Sequence, residues 1–302
     1  MDTATQLKFD AFLHLLLYPT LALTTVAAAG LALRRTAVSR ERPEVTALAL
    51  AVAMTVAWVG IVGFPAVPPV DTRDFTPLFT MLLPLPFLLL ERRPRLALVA
   101  PLAAVTLVVL VGLYLRPILG GEYAAHDAVA RATALMLLVW LGVDRLATAL
   151  PAPTVLSAIC FASIGAAACA LLSGTAVIGQ ALGGVAAVAG VASLLTWRLP
   201  SLTLGRAGVA AALVPFFGGL VYAHYYGDLP AGPAALAALA PLAAAAALPL
   251  RGVVLATILA GLAALVPAGG AAFYAKQLSD AKHPAETPAD GAPPAPDYSI
   301  IK

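Results

Sequence analysis

Residues 76–95, TPLFTMLLPLPFLLLERRPR, decide the fold of this chain, because they set the direction of every later segment. The stretch is a short apolar run that closes with a charged end: Glu91, Arg92, Arg93, Pro94 and Arg95. If it crosses a membrane, all later segments take one orientation, and if it does not, they take the opposite one. The composition of the whole chain and the charges of the other loops decide between these two arrangements.

The composition is typical of an integral membrane protein. Of the 302 residues, 61% are hydrophobic and 11% are charged, whereas about a quarter of the residues in soluble domains are charged. A helix of about 20 apolar residues spans the ~30 Å hydrocarbon core of a bilayer, and it satisfies its own backbone hydrogen bonds there. The apolar runs show no period-2 alternation. The sequence therefore predicts an all-α, polytopic bundle of transmembrane helices.

Ten apolar segments are separated by turn signals that are rich in proline and glycine. They cover residues 11–33, 45–64, 76–90, 96–116, 128–150, 154–173, 175–197, 207–226, 234–250 and 252–272. The first segment is expected to be an uncleaved helix, because it is too long for the apolar region of a signal peptide and lacks a basic stretch before it. Pro84 and Pro86 are expected to kink the third segment.

The arginines assign a side of the membrane to each loop. With ten helices, eleven arginines fall on one side and three on the other, and the arginine-rich side is cytoplasmic by the positive-inside rule. Both termini then lie outside, on the non-cytoplasmic side of the cell inner (cytoplasmic) membrane. With nine helices, residues 65–95 form one external loop, and Arg145, Arg198, Arg206 and Arg251 would face outside. The ten-helix arrangement is therefore favoured.

The chain divides into a transmembrane helical domain, residues 1–275, and a C-terminal tail, residues 276–302. The tail is polar and rich in proline and alanine, a composition that cannot bury a core. We expect it to be extended and to dock on a partner through Tyr298, Ile300 and Ile301.

Small residues recur every four positions in the seventh segment, at Gly179, Gly183 and Ala187, with Gly184 beside them. Such a stripe lets a second helix approach closely. Packing within the chain is the favoured use of this stripe, and a contact between subunits is the alternative.

Ionisable residues inside membrane segments usually mark a function, and they are scarce here. Asp144 is the one acidic residue of fifteen that lies within an apolar segment, and Arg145 follows it. Adjacent residues of a helix do not face each other, so they form no self-contained pair. An interfacial carboxylate beside a snorkelling arginine is favoured, and a cytoplasmic gate or coupling carboxylate is the alternative. Coupled transporters place a carboxylate or a broken helix near the midplane, and the absence of a midplane carboxylate disfavours that class.

Histidines on the outer side are the other candidate site residues. His14 lies at the start of the first segment, and His126 and His224 each have a carboxylate within four residues. Imidazole and carboxylate groups together are metal ligands, but these spacings match no ligand motif. Hydrogen-bonded histidines at headgroup level are therefore favoured over a metal site. Gln180 is expected either to bond to a neighbouring helix or to line an outward-facing cavity.

The sequence contains no catalytic motif and no nucleotide-binding loop, and its arginines lie at helix ends, which disfavours nucleic acid as a partner. We therefore predict a non-catalytic subunit of a larger membrane protein assembly, without a cofactor, surrounded by lipid and bound to other membrane subunits. One alternative is a permease for a neutral or lipid-like solute, which the helix count and the helix-breaking prolines favour. The other is a membrane enzyme that uses the outer histidines and carboxylates.

Overall fold

A computed structural model shows a helical bundle, and it describes residue 24 and residues 43–66, 69, 72–91, 96–115 and 123–282, which include no strand. The helices are α1 (Pro43–Val62), α2 (Thr72–Leu82), α3 (Pro84–Glu91), α4 (Leu96–Leu115), α5 (Tyr123–Ala149), α6 (Ala152–Leu172), α7 (Ala176–Arg198), α8 (Arg206–Tyr225), α9 (Ala231–Leu239) and α10 (Val253–Lys282), with a 3₁₀ helix at Ala240–Ala247 after α9. Six of them, α1, α5, α6, α7, α8 and α10, are long and apolar enough to cross a membrane. The all-α prediction is confirmed.

The stretch 76–90 is interrupted at Pro84, where the sequence predicts a kink. α2 ends at Leu82, Leu83 forms a turn, and α3 begins at Pro84. Proline has no N–H to donate and its ring clashes with the preceding turn, so it suits the start of a helix and kinks or interrupts the interior. The interruption separates helices of 11 and 8 residues, although the Leu83 N–H still donates to the carbonyl of Phe79 over 2.9 Å.

Two further segments differ from a single membrane helix. Residues 234–250 include the end of α9 and the 3₁₀ helix, which has Pro241 in its first turn. α10 continues to Lys282, past residue 276, at which the sequence places the start of the tail. The first apolar segment, 11–33, and the end of the tail, 283–302, lie outside the described residues.

Helix α8 lies at the centre of the bundle. Residues 207–221, AGVAAALVPFFGGLV, are all buried and carry no polar side chain. In the described part of the chain, α8 packs against α1 to α7 and against α9. A helix that is apolar on every face suits a fully buried position of this kind.

Small residues set the closest helix contacts. Alanines at every fourth position of α10, Ala256, Ala260, Ala264 and Ala268, are buried, and α10 packs against α6. A Cβ on Gly165 of α6 would overlap the Cβ of Ala268 and lie 2.8 Å from its Cα. Such contacts associate helices by close van der Waals packing. The opposite face of α10 is exposed: Leu255, Ile258, Leu262 and Val266.

The small-residue stripe of α7 also packs within the chain, as the sequence predicts. A Cβ on Gly184 would lie 3.2 Å from the Cβ of Ala57 in α1, and one on Gly179 would lie 2.6 Å from Cγ of Leu171 in α6. Gly183 has open space beside it. Two of the glycines therefore admit neighbouring helices of the same chain.

One end of the bundle, which we call the tyrosine end, is defined by hydrogen bonds that tyrosines make between helices. The Tyr226 hydroxyl donates to the carbonyl of Tyr114 over 2.6 Å, and the Tyr225 hydroxyl donates to the carbonyl of Ala128 over 3.3 Å. These bonds bring the C-terminal end of α8 to the C-terminal end of α4 and to the first turns of α5.

The opposite end, which we call the arginine end, joins the end of α7 to the starts of α6 and α10. The Ser193 hydroxyl donates to the carbonyl of Pro153 over 2.8 Å, and the hydroxyls of Thr154 and Thr257 are 3.2 Å apart. Four arginines lie here: Arg145, Arg198, Arg206 and Arg251.

Helices α2 and α3 run from the tyrosine end towards the arginine end. Near the start of α2, Thr76 lies next to α8, since a Cβ on Gly218 would be 3.2 Å from the Thr76 hydroxyl oxygen. In α3, the ring of Phe87 packs on that of Trp140, in the second half of α5, with the ring centroids 5.3 Å apart. The described part of the opening stretch, residues 76–91, thus runs along the bundle from the Thr76 contact to the Phe87 contact.

Candidate functional site

Asp144 is buried at the arginine end, and its partner comes from another helix. Its side chain is 4% exposed, and its Oδ1 lies 3.8 Å from Nε of Arg206, whose side chain is 12% exposed. Arg206 is the first residue of α8, whereas Arg145, the neighbour of Asp144 in sequence, is exposed. The carboxylate therefore forms a buried ion pair between α5 and α8.

Sequence reasoning missed Arg206 as this partner, because the two residues belong to different helices and no spacing rule joins them. A usable signal was present in Asp144 itself, because ionisable residues inside membrane segments are rare and usually pair with one another. Arg206 begins a helix whose next fifteen residues are apolar. The ion pair ties the central helix to α5 at its first residue.

His224 lies at the tyrosine end and is held by a backbone carbonyl. Its Nδ1 is 2.6 Å from the carbonyl oxygen of Leu229, and since a carbonyl only accepts, Nδ1 carries the proton. Its ring packs edge-on against Tyr225, with centroids 4.5 Å apart. Asp228, the carboxylate nearest to it in sequence, is exposed. This histidine therefore fixes the loop that follows α8.

Four of the other predicted site residues lie outside the described residues: His14, Tyr298, Ile300 and Ile301. His126 is in the first turn of α5, and Gln180 is exposed on α7, where it makes no hydrogen bond to another described residue. Among the residues that the structure describes, no group of three His, Cys, Asp or Glu side chains is placed to hold a metal ion.

A cleft of about 340 Å³ opens at the tyrosine end between α5, α8 and α9. Its floor is α8, through Leu220 and Val221, and its walls include Leu135 and Met136 of α5 and Ala238 of α9. The volume is within the range of small-molecule sites, roughly 300–1,000 Å³. Along α9 the cleft spans residues 231–238, about 10 Å at 1.5 Å per residue.

The mouth of this cleft is polar, in contrast to its interior. Arg131, His224 and Tyr225 line it. Arg131 pairs with Asp127 over 2.9 Å, one turn earlier in α5, and both side chains are largely exposed. An exposed pair of this kind contributes only ~0–1 kcal/mol, so the guanidinium remains available to a second anion. The sequence analysis singled out His224 and missed Arg131, because the cleft depends on where α9 packs.

Comparisons with protein-family models, with curated proteins and with solved structures find no match to this chain. Over the residues that the structure describes, the fold defines a class: it is all-helical, with six helices long and apolar enough to cross a membrane. Within that class, the buried ion pair, the amphipathic cleft and the packing of α10 are the features from which a function is inferred.

Proposed function

We propose that this protein is a non-catalytic, multi-pass subunit of a larger membrane protein assembly. The observation that carries the proposal is the length of α10. Its 30 residues make a helix of about 45 Å at 1.5 Å per residue, whereas the hydrocarbon core of a bilayer is ~30 Å thick. Its C-terminal turns therefore project beyond the bilayer at the tyrosine end and lead into the tail.

The projecting turns favour a protein partner. They carry Phe273, Tyr274, Lys276 and Gln277 as exposed side chains, and the other described helices cover one face of α10. A helix of a few turns is marginally stable in water by itself. A partner subunit that covers these turns, and holds Tyr298, Ile300 and Ile301 of the tail, would stabilise them.

The packing around α8 favours a structural role over a conducting one. Selective pores are lined by carbonyls, charged side chains or other polar groups. The central helix instead buries residues 207–221 against its neighbours, and these residues are apolar throughout.

The proposed topology has ten membrane crossings, with both termini on the non-cytoplasmic side of the cell inner membrane. The six long helices supply six crossings. Segment 11–33, the pair α2 and α3, α4, and α9 with its 3₁₀ helix supply the other four. In support, Arg145, Arg198, Arg206 and Arg251 gather at one end, which the positive-inside rule places in the cytoplasm.

Co-purification tests the subunit proposal. The full chain, a chain truncated after Lys282 and a chain truncated after Ala275 would be extracted from native membranes in mild detergent. We expect the full chain to carry a partner at fixed stoichiometry, the first truncation to weaken that association and the second to abolish it. Recovery of the full chain as a lone monomer, with its tail freely cleaved by protease, would contradict the proposal.

A photo-crosslinking residue gives the matched control for this experiment. Placed at Phe273, 63% exposed on the projecting part of α10, it is expected to form one discrete crosslinked product. Placed at Leu138, 59% exposed on α5, it is expected to form none with the same partner. Equal crosslinking from both positions would indicate collision in the detergent micelle and not a docked subunit.

The second candidate function is a permease for a lipid-like solute, and the break after α9 favours it. There α9 gives way to the 3₁₀ helix beside the cleft, and transporters build solute sites from discontinuous helices. Proteoliposomes with a fluorescent lipid would show the activity as bleaching of inner-leaflet probe by an impermeant reductant. A rate above that of protein-free vesicles supports a permease, and an equal rate supports the subunit role.

A further inference from the structure

We propose that the cleft between α5, α8 and α9 binds an anionic phospholipid of the surrounding bilayer, with an acyl chain in the cleft and the phosphate on Arg131. This is a ligand site in addition to the subunit role. It follows from the interior of the cleft, from its mouth and from its position in the bundle.

The interior of the cleft suits a hydrocarbon chain. Away from the mouth it is lined by alanine, leucine, valine and methionine side chains, among them Met136, Leu220 and Ala238. A polar ligand would lose its water there and find no hydrogen-bond partner in return, which is costly. An acyl chain has no hydration to lose by moving in from the bilayer, and close packing offsets the ordering of the chain.

The mouth of the cleft suits a phosphate. The Arg131 guanidinium lies there, and a guanidinium binds phosphate oxygens through two parallel hydrogen bonds. It must loosen its contact with Asp127, but that pair is exposed and weak. His224 lines the same mouth, and in the neutral imidazole its Nε2 accepts a hydrogen bond, for instance from a headgroup hydroxyl.

The position of the mouth matches the headgroup level of a membrane. Tyr225 and Tyr226 lie beside it at the end of α8, and tyrosines concentrate at the boundary between hydrocarbon and headgroups. The cleft runs about 10 Å inward from there along α9. A phospholipid placed with its phosphate at the boundary therefore has its chain in the apolar part of the cleft.

Lipid titration of the purified full chain tests this site. Phosphatidylglycerol and phosphatidylcholine with identical chains would be added to the protein in detergent, and bound lipid counted by native mass spectrometry. A favourable contact with one arginine corresponds to about fivefold tighter binding of the anionic lipid. We expect that preference in the natural chain and its loss in R131A, whereas R145A, which removes an exposed arginine of α5 at the arginine end, retains it.

Filling the cleft separates the chain site from the phosphate site. A235F places a ring in the cleft and is expected to weaken the binding of both lipids severalfold. L138F, on an exposed part of α5, is expected to leave the binding of both lipids unchanged. Inorganic phosphate at about 10 mM is expected to leave lipid binding unchanged. If phosphate displaces the lipid, and A235F binds the lipid as well as the natural chain does, the site is one for soluble anions and the proposal is overturned.

Two further outcomes also overturn it. One is equal binding of the two lipids by the natural chain, and the other is an equal effect of R131A and R145A on the preference. If A235F does not fold, the comparison of R131A with R145A still tests the site. Both replaced side chains are exposed, so these two variants are expected to fold.

Discussion

The contact between α6 and α10 leads to a stability prediction of definite sign. A Cβ on Gly165 would overlap the Cβ of Ala268 and lie 2.8 Å from its Cα and 3.0 Å from its carbonyl carbon. Because backbone atoms are among these neighbours, a side-chain rotation cannot relieve the overlap and α10 must move. Gly165→Ala is therefore expected to lower the free energy of unfolding by about 1–3 kcal/mol, the usual cost of overpacking. The higher helix propensity of alanine alone would raise the free energy of unfolding by ~1 kcal/mol.

Thermal unfolding of the detergent-purified protein, followed by tryptophan fluorescence, measures this effect. A change of 1 kcal/mol moves the midpoint by roughly 2–4 °C in chains somewhat shorter than this one. We expect a drop of about 2–12 °C for Gly165→Ala, compared at one scan rate because unfolding of such proteins is often irreversible.

Gly269→Ala is the matched control, since no heavy atom lies within 4 Å of where a Cβ on this α10 glycine would be. The midpoint of its thermal unfolding is expected to stay level, or to rise because alanine has a higher helix propensity than glycine. A midpoint for Gly165→Ala that equals or exceeds the Gly269→Ala value would refute the close packing of α6 on α10.

The remaining predictions concern polar contacts and use the same unfolding measurement. Arg206→Met leaves the Asp144 carboxylate buried without this partner and is expected to lower the free energy of unfolding by about 3–5 kcal/mol. Arg145→Ala, at an exposed site, is expected to change the free energy of unfolding by no more than about 0.5 kcal/mol. Equal effects of the two variants would contradict the ion pair. Tyr226→Phe removes the donor to the Tyr114 carbonyl and is expected to cost about 1 kcal/mol, and an unchanged midpoint would argue against that hydrogen bond.

The class of the fold was predictable because it depends on local composition. Runs of apolar residues such as 45–64 and 154–173 become α1 and α6 with ends shifted by a few residues. Proline chemistry also pointed to the break at Pro84. The 3₁₀ helix at Ala240–Ala247 was not predictable, because alanine has the highest helix propensity of all residues and tertiary packing outweighs it there.

The site could be predicted only in part, for a different reason. Asp144 stood out as an acidic residue within an apolar segment and His224 as an outer-side histidine with a carboxylate four residues on, and both are held by contacts in the structure. Their partners, Arg206 and the Leu229 carbonyl, and the cleft beside Arg131 depend on which helices are neighbours in space. Helix packing in a membrane is set by small residues and shape, and periodicity along one chain does not report it.

The central claim is the direction of the stretch 76–95, and labelling of single cysteines tests it. The natural cysteines, Cys160 and Cys169, are free and would first be replaced by alanine. Asp228→Cys and Arg251→Cys then report on the later loops, which lie outside and inside respectively in the ten-helix account and exchange sides in the nine-helix account, and a membrane-impermeant maleimide is applied before and after permeabilisation.

The decisive pair is Phe64→Cys and Arg93→Cys, on either side of α2 and α3. Phe64 is 93% exposed after α1, so the label reaches it directly. The ten-helix account predicts that Phe64→Cys is labelled in intact cells and that Arg93→Cys is labelled only after permeabilisation. Labelling of both positions in intact cells would show that residues 65–95 form an external loop and would contradict the account.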